Sequence, residues 1–234
     1  MADLISREHK WLRRYTTLPA VFELLEKKVL TLTNPSKWED KNDQFTIGAY
    51  KTNNGFESVL AACFTGTRET FHHWKIFAPG VAGMCVVFRR DSLEKSLKQR
   101  NQVRFGLAKY RKMEAGVVEE TKRPDLPFVK RIGYRDEQEY RIIWQSRSQK
   151  VDFAEVAIDP ICIETIVINP WLPANLARTL RSLLFREVLR QNFAHVIKIK
   201  QSHLVESLIW KRAITKKFLP LANIKIRVPR GQPK

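Results

Sequence analysis

Hydrophobic positions along the chain come in short bursts of two different periods, and these predict an alternation of strands and helices. WLRRY (11–15) and VLTLT (29–33) read as strands, the second alternating Val29, Thr31 and Thr33 against Leu30 and Leu32. Between them, LPAVFELLEKK (18–28) places Val21, Leu24 and Leu25 at helical spacing, with Pro19 in the first turn, where a missing N–H is tolerated. NPSKWEDKNDQF (34–45) breaks regular structure, because Asn34, Pro35 and the Asp/Asn cluster are turn chemistry. Its Trp38 and Phe45 predict a loop folded back onto the body.

Continuous apolar runs in SVLAACFTGT (58–67) and GMCVVFRR (83–90) predict buried strands, separated by a helix over ETFHHWKIFA (69–78) that Pro79 and Gly80 end. DSLEKSLKQR (91–100) opens with Asp91 as N-cap and Glu94 three residues on, the pattern of a capping box. VRFGLAKY (103–110) is the next strand, and a charged span containing RPDLPFVKR (123–131) leads to the strand EYRIIWQ (139–145). EVAIDPICIETIVINP (155–170) holds one or two more. The clearest helix is PANLARTLRSLLFREVLRQNF (173–193), with Leu176, Leu180, Leu183, Leu184 and Val188 on one face and Arg178, Arg181, Arg186 and Arg190 on the other. HVIKIKQ (195–201) and LANIKIRV (221–228) alternate apolar with basic residues, as exposed or edge strands do. No repeat or linker divides the chain, so the expectation is one α+β domain over 1–234. Helices are expected to flank its sheet, with a basic C-terminal tail from about residue 211.

Charge changes the picture from a fold to a partner. The 234 residues carry 42 Lys and Arg against 24 Asp and Glu, a formal +18 and a pI near 10.1. From His195 onward there are ten basic residues and one acid, Glu206. A polyanion, nucleic acid first, is the expected partner, with a solvated, self-repelling tail as the plain alternative. No apolar run approaches the roughly 20 residues that span a bilayer, and the polar start lacks a secretory core, so a cytoplasmic protein without a membrane partner is expected. Cys63, Cys85 and Cys162 lie far apart in apolar surroundings and read as buried packing residues. His72 and His73 are adjacent, so on a helix they point about 100° apart and do not chelate one ion. No metal is expected.

The stretch YRDEQEYRIIW (134–144) carries the candidate chemistry. Side chains alternate along a strand, which would project Glu137, Glu139 and Arg141 one way and Gln138, Tyr140 and Ile142 the other. That pattern supports two readings. One is a surface ladder in which Arg141 neutralises Glu139, worth at most about 1 kcal/mol when exposed. The other is a working pair, one carboxylate kept ionised beside a ribose or a developing cation while the other orients a nucleophile. A third reading, a hydrolase using His73 with Asp40 or Glu139, lacks any fixed geometry.

Taken in order, these pieces resemble a large bacterial family known as domain of unknown function 2971. The resemblance runs through Arg14-Tyr15, then Pro35, Ser36, Trp38 and Asp40, then Cys63, Phe64 and Thr65, then Trp74, Phe77 and Gly83. Its most specific piece is Glu-x-Glu-Tyr-Arg, intact from Glu137 to Arg141 with Lys130 ahead of it. The chain departs from the pattern at His73, Ile76 and Tyr134. Coverage is nearly the whole chain, but that family's name implies no function.

A basic residue on a first strand, a helix, a hydroxyl-bearing strand and a late Glu-x-Glu strand are also similar to the order of parts in ADP-ribosyltransferases that cleave NAD. That resemblance implies an ADP-ribosyltransferase-like α+β fold, with a mixed or antiparallel split sheet, and NAD as substrate. In it Arg14, or Arg13 in its place, binds phosphate beside Tyr15, and Thr31 or Thr33 supports the site. Glu139 is catalytic and Glu137 orients the acceptor. Trp38, Asp40, His73, Trp74 and Arg141 fall on the substrate side. It implies an enzyme acting on nucleic acid or protein, as a toxin or in phage defence and bacterial conflict, with a protein partner or inhibitor. Glu139→Gln is then expected to lose activity with the fold intact. The alternative is a non-catalytic, basic nucleic-acid-binding protein.

Overall fold

In the computed structural model, which describes residues 10–112, 121–193 and 197–218, the predicted alternation becomes a nine-stranded sheet with helices on both faces. β1 (Trp11–Thr17), α1 (Leu18–Lys27) and β2 (Val29–Thr33) follow each other almost without loops. Pro19 opens α1, and Lys28 closes it in the left-handed region (φ 58°). The expected α+β class with a split, largely antiparallel sheet is the one observed.

Sheet order runs β11-β10-β4-β1-β3-β2-β9, where β3 is Ser58–Thr65, β4 Gly83–Arg89, β9 Phe153–Ala157, β10 Ile163–Ile168 and β11 Lys198–Gln201. The stretch expected to hold one or two strands therefore holds β10 and most of β9, and β11 is an edge strand as its lysine alternation predicts. LANIKIRV lies outside the described residues. β5 (Val103–Leu107) pairs β8 (Glu139–Ser146), which in turn pairs all of β3. The single strand predicted over 103–110 is broken at Ala108, and its end forms β6 (Lys109–Arg111), parallel to β7 (Val129–Arg131) in a separate ribbon.

The split lies on one edge of β3. β2 meets that edge only at Thr33↔Ala61 and β1 only at Arg13↔Thr65. Among the described residues no strand covers the edge between them, at Cys63, and the two partners splay apart there. Behind the sheet, Leu12, Phe64, Phe88, Tyr140, Ile142 and Ile166 join α1 and α5 (Ala174–Arg190) in the main core. In front, Ala61 and Ile143 pack with Ile47, Tyr50 and Phe128.

Three local expectations are corrected. The loop over 34–45 is a short 3-10 turn (Pro35–Lys37) followed by α2 (Lys41–Asn53). This helix has almost no amphipathic stripe to read, and Asp40 starts it by accepting from the Asn42 and Asp43 N–H groups. Phe45 points outward at 78% exposure, while Trp38 packs inward. α4 (Arg90–Leu97) begins two residues earlier than an Asp91 N-cap predicts, and without a side-chain cap. Glu94 binds Arg90 and the Tyr140 hydroxyl instead. On α5, Leu180, Leu184 and Val188 are buried with Ala177, but Leu176 and Leu183 flank that stripe and stay exposed. The basic tail begins within a further helix, α6 (Leu208–Phe218). No described helix is long and apolar enough to cross a membrane.

α3 (Phe71–Phe77) is capped by Thr70, whose hydroxyl accepts from the His73 N–H, and Gly83 starts β4 directly beneath the end of this helix. A Cβ at Gly83 would overlap the Ala78 carbonyl, which backbone cannot yield. Gly83→Ala is therefore expected to destabilise the fold by about 1–3 kcal/mol. Urea unfolding checks this, and a midpoint equal to wild type would contradict it.

Candidate active site

β8 begins where a 3-10 turn (Ile132–Glu137) ends, and Gln138 joins them in the left-handed region, with φ 41° and ψ 53°. Such a backbone is unfavourable for a residue with a Cβ and persists where surroundings fix it. Here the Gly66 N–H binds the Gln138 carbonyl and the Glu139 N–H donates to the Tyr110 hydroxyl at 2.7 Å. Glu137 therefore does not belong to the strand, and the alternation that paired it with Glu139 fails at that residue. It reaches Glu139 by another route, through Lys130.

Glu139 and Arg141 do alternate as expected, but into the protein. Arg141 is 0% exposed and Glu139 4%, so the surface-ladder reading is corrected. Every guanidinium N–H of Arg141 is used. Nε and Nη2 donate to the two oxygens of Glu139 at 2.7 and 2.8 Å. Nη1 and Nη2 donate to the two oxygens of Asp43 at 2.9 and 2.5 Å, and Nη1 also reaches the Pro127 carbonyl at 2.9 Å. Five donors meet five acceptors, as burying this cation requires. Asp43, on the helix that the sequence read as loop, is the residue of this network that pattern reading missed.

Lys130 completes the row, 3.0 Å from Glu139 and 2.5 Å from Glu137. Burial alone would push the Glu139 carboxyl up, but Arg141 and Lys130, with a hydrogen bond from the Cys63 thiol, hold it at about 2. Burial pushes the Glu137 carboxyl up against the pull of Lys130, and the neighbouring Glu139 anion adds to the rise. Two carboxyls on one ammonium are thus driven apart in acidity.

These groups line a cleft of about 550 Å³ in the split of the sheet, within the size range of small-molecule sites. Arg13, Arg14, Tyr15, Thr33, Trp38, Asp40, His73, Glu137 and Glu139 all border it. Arg14 bridges the split, its Nη2 donating to the Thr31 carbonyl at 3.0 Å. Its Nη1 is buried with no hydrogen-bond partner among the described residues, and burial pulls its guanidinium below the ordinary value. Arg13 also lines the cleft, donating to the Thr67 carbonyl at 2.6 Å. Tyr15 stacks on His73, ring centres 5.5 Å apart, and burial lowers the pKa of that imidazole, favouring its neutral form.

Three expected site residues lie elsewhere. The Thr31 hydroxyl donates to Glu23 at 2.8 Å and borders a different, smaller hollow. Trp74 is completely buried against Ala78, Cys85 and Val167, its indole N–H on Glu69 at 2.7 Å. Arg141 lies beneath the cleft floor and has no free donor for a ligand. Cys85 and Cys162 are buried packing residues, but Cys63 is half-buried, borders the cleft and serves Glu139.

No family model matches the chain, and no curated protein does. The chain is similar to solved structures of the DarT of Thermus sp. 2.9. Its complex with NAD+ is 9% identical with a TM-score of 0.42, over 83% of this chain and 96% of that one. The complex with ADP-ribosylated ssDNA is 9% identical with a TM-score of 0.40, over 83% and 95%. The complex with carba-NAD+ is 10% identical with a TM-score of 0.39.

The buried network makes Glu139→Gln a structural change as well as a chemical one, contrary to the expectation of an intact fold. Removing one partner of a buried ion pair costs about 3–5 kcal/mol. A carboxyl whose folded value is depressed adds stability that is complete above its unfolded value, near 4.5, and is lost as pH falls towards about 2. The stability gap between wild type and Glu139→Gln is therefore expected to shrink across that window, which urea unfolding at a series of pH values measures. A gap that does not vary with pH would contradict the assignment.

Proposed function

We propose that the chain is an NAD-dependent ADP-ribosyltransferase-like enzyme whose acceptor is nucleic acid or protein. One observation carries the reading: a carboxylate kept ionised, Glu139, borders the same cleft as Arg14, whose buried Nη1 has no hydrogen-bond partner among the described residues. An anion fixed in a low-dielectric floor stabilises positive charge that develops on a ribose as its glycosidic bond stretches. An uncommitted guanidinium N–H suits a phosphate oxygen. Thr33, rather than Thr31, is the hydroxyl of β2 placed to support a ligand, with Tyr15 and His73 offering a ring face beside it. Trp38 and Asp40 border the side from which an acceptor enters. With a net charge of +18, nucleic acid is the first acceptor to test.

Nicotinamide release from NAD, assayed with single-stranded DNA, RNA and protein acceptors, tests the reading. Glu139→Gln is expected to lower turnover by about 100-fold or more under conditions where circular dichroism shows it folded. Arg14→Met is expected to weaken NAD binding with a smaller effect on turnover at saturation. Turnover that survives Glu139→Gln unchanged would sink the catalytic assignment.

A second reading, a non-catalytic nucleic-acid binder, is favoured by α6, where Lys211, Arg212, Lys216 and Lys217 are exposed on a helix that buries none of its residues. It expects log affinity for single-stranded DNA to fall steeply with log salt. Changing these four residues to Gln would flatten the slope by about 3, and an unaltered slope would count against it.

A further inference from the structure

Lys130 is given no role by either resemblance, yet it is where the two carboxyls of the cleft meet. Its ammonium is 2.5 Å from Glu137 Oε2 and 3.0 Å from Glu139 Oε2, and it lies 4.8 Å from the centre of the Tyr134 ring. The two acids are held unequally. Glu139 is fixed from both sides, with Arg141 on each of its oxygens and Lys130 on one. Among the described residues Lys130 is the one ion-pair partner of Glu137, whose side chain is four times as exposed, 21% against 5%. A single cation from β7 thus draws a carboxyl out of a 3-10 turn to the side of one on β8.

We infer that Lys130 is the positioning residue of this pair, holding Glu137 towards the cleft and setting the pH at which Glu137 takes up and releases a proton. Other charged and titratable groups face the pair from the elements packed on it: Arg141 from β8, Asp43 from α2, Cys63 from β3, Tyr110 from β6, Tyr134 from the 3-10 turn, and His73 from α3, whose ring bonds the Glu137 backbone and which burial favours in its neutral form. Arg141 and Asp43 neutralise each other in large part through their paired hydrogen bonds. Burial raises the Cys63 thiol well above its ordinary range and the Tyr110 phenol to about 12, so both stay neutral. Lys130 is therefore the cation in direct contact with Glu137, opposing both burial and the Glu139 anion.

The consequence for chemistry rests on the transferase reading above. The bond from ribose C1′ to the nicotinamide nitrogen breaks, and its electron pair leaves with nicotinamide, which becomes neutral. An acceptor X–H forms the new X–C1′ bond, and its proton passes to the Glu137 carboxylate, from which solvent removes it. Glu139, already fully bonded, stays an anion throughout. Lys130 keeps Glu137 ionised, and so able to take that proton, down to lower pH than burial alone would allow.

The test is a carboxyl ¹³C titration of the full chain, with the Glu137 signal identified by its loss in Glu137→Gln. Relative to wild type, the Glu137 midpoint is expected to rise in Lys130→Met and to return towards wild type in Lys130→Arg. One midpoint shared by all three would overturn the inference. Linkage demands the reciprocal effect: Glu137→Gln should lower the midpoint of the Lys130 ammonium, followed through ¹⁵Nζ. An unchanged Lys130 would overturn the inference even if Lys130→Met did not fold. In NAD turnover, the acidic limb of the pH profile is expected to move to higher pH in Lys130→Met and to be restored in Lys130→Arg. Absence of any turnover in wild type would remove the transferase reading and the reaction step, while the titrations still decide the role of Lys130.

Discussion

The buried guanidinium of Arg141 constrains much of what surrounds it. An unpaired cation in the interior costs several kcal/mol even after relaxation, so five acceptors must be delivered to five N–H groups at fixed angles. They come from three separate elements: Glu139 two residues away on β8, Asp43 on α2, and the Pro127 carbonyl in the 3-10 turn over 123–128. Asp43 ties α2 down over the front of the sheet, while Pro127 ties down the segment that leads into β7. Glu139 is oriented in the same act. The charged row of the site and the packing of the front layer are one structure.

The sheet split supplies space where this row surfaces. Because β1 and β2 each touch β3 at a single register position, a gap opens that Arg14 crosses to reach the Thr31 carbonyl. That bond holds the splayed strands together and leaves Nη1 unpartnered. The left-handed Gln138 plays the matching part on the far side of β3, ending the 3-10 turn so that β8 can begin with Glu139 already buried. Arg14 borders this cleft, and the strained Gln138 sits between two residues that line it, Glu137 and Glu139.

Charge is divided in the same way. The cations that give the chain its excess lie largely on exposed faces, as on the outer side of α5 and on α6, where they are solvated and screened. Arg141 and Lys130, held in the interior, are matched by carboxylates within hydrogen-bond distance, whereas the buried Arg14 meets the Thr31 carbonyl instead. The net charge of +18 therefore describes what the surface attracts, whereas the cleft is electrostatically mixed, with arginines on one wall and acids on the other.

The sequence by itself determined most of the element order, the α+β class, the edge position of β11 and the shared facing of Glu139 and Arg141, because each follows from a local period of two or 3.6. It also brought Arg14, Tyr15, Thr33, Trp38, Asp40, His73 and the two glutamates forward as candidates, and these line one cleft. Only the tertiary structure decided depth and partnership. α2 was illegible because its stability comes from Asp43 and from packing under the 3-10 turn rather than from an amphipathic stripe. Thr31 and Trp74 were misplaced because a local pattern gives no sign of which face a neighbouring helix will cover. Whether Glu139 lies on a surface or on a buried guanidinium depends on residues nearly a hundred positions away. Spacing along the chain holds no information about such a contact.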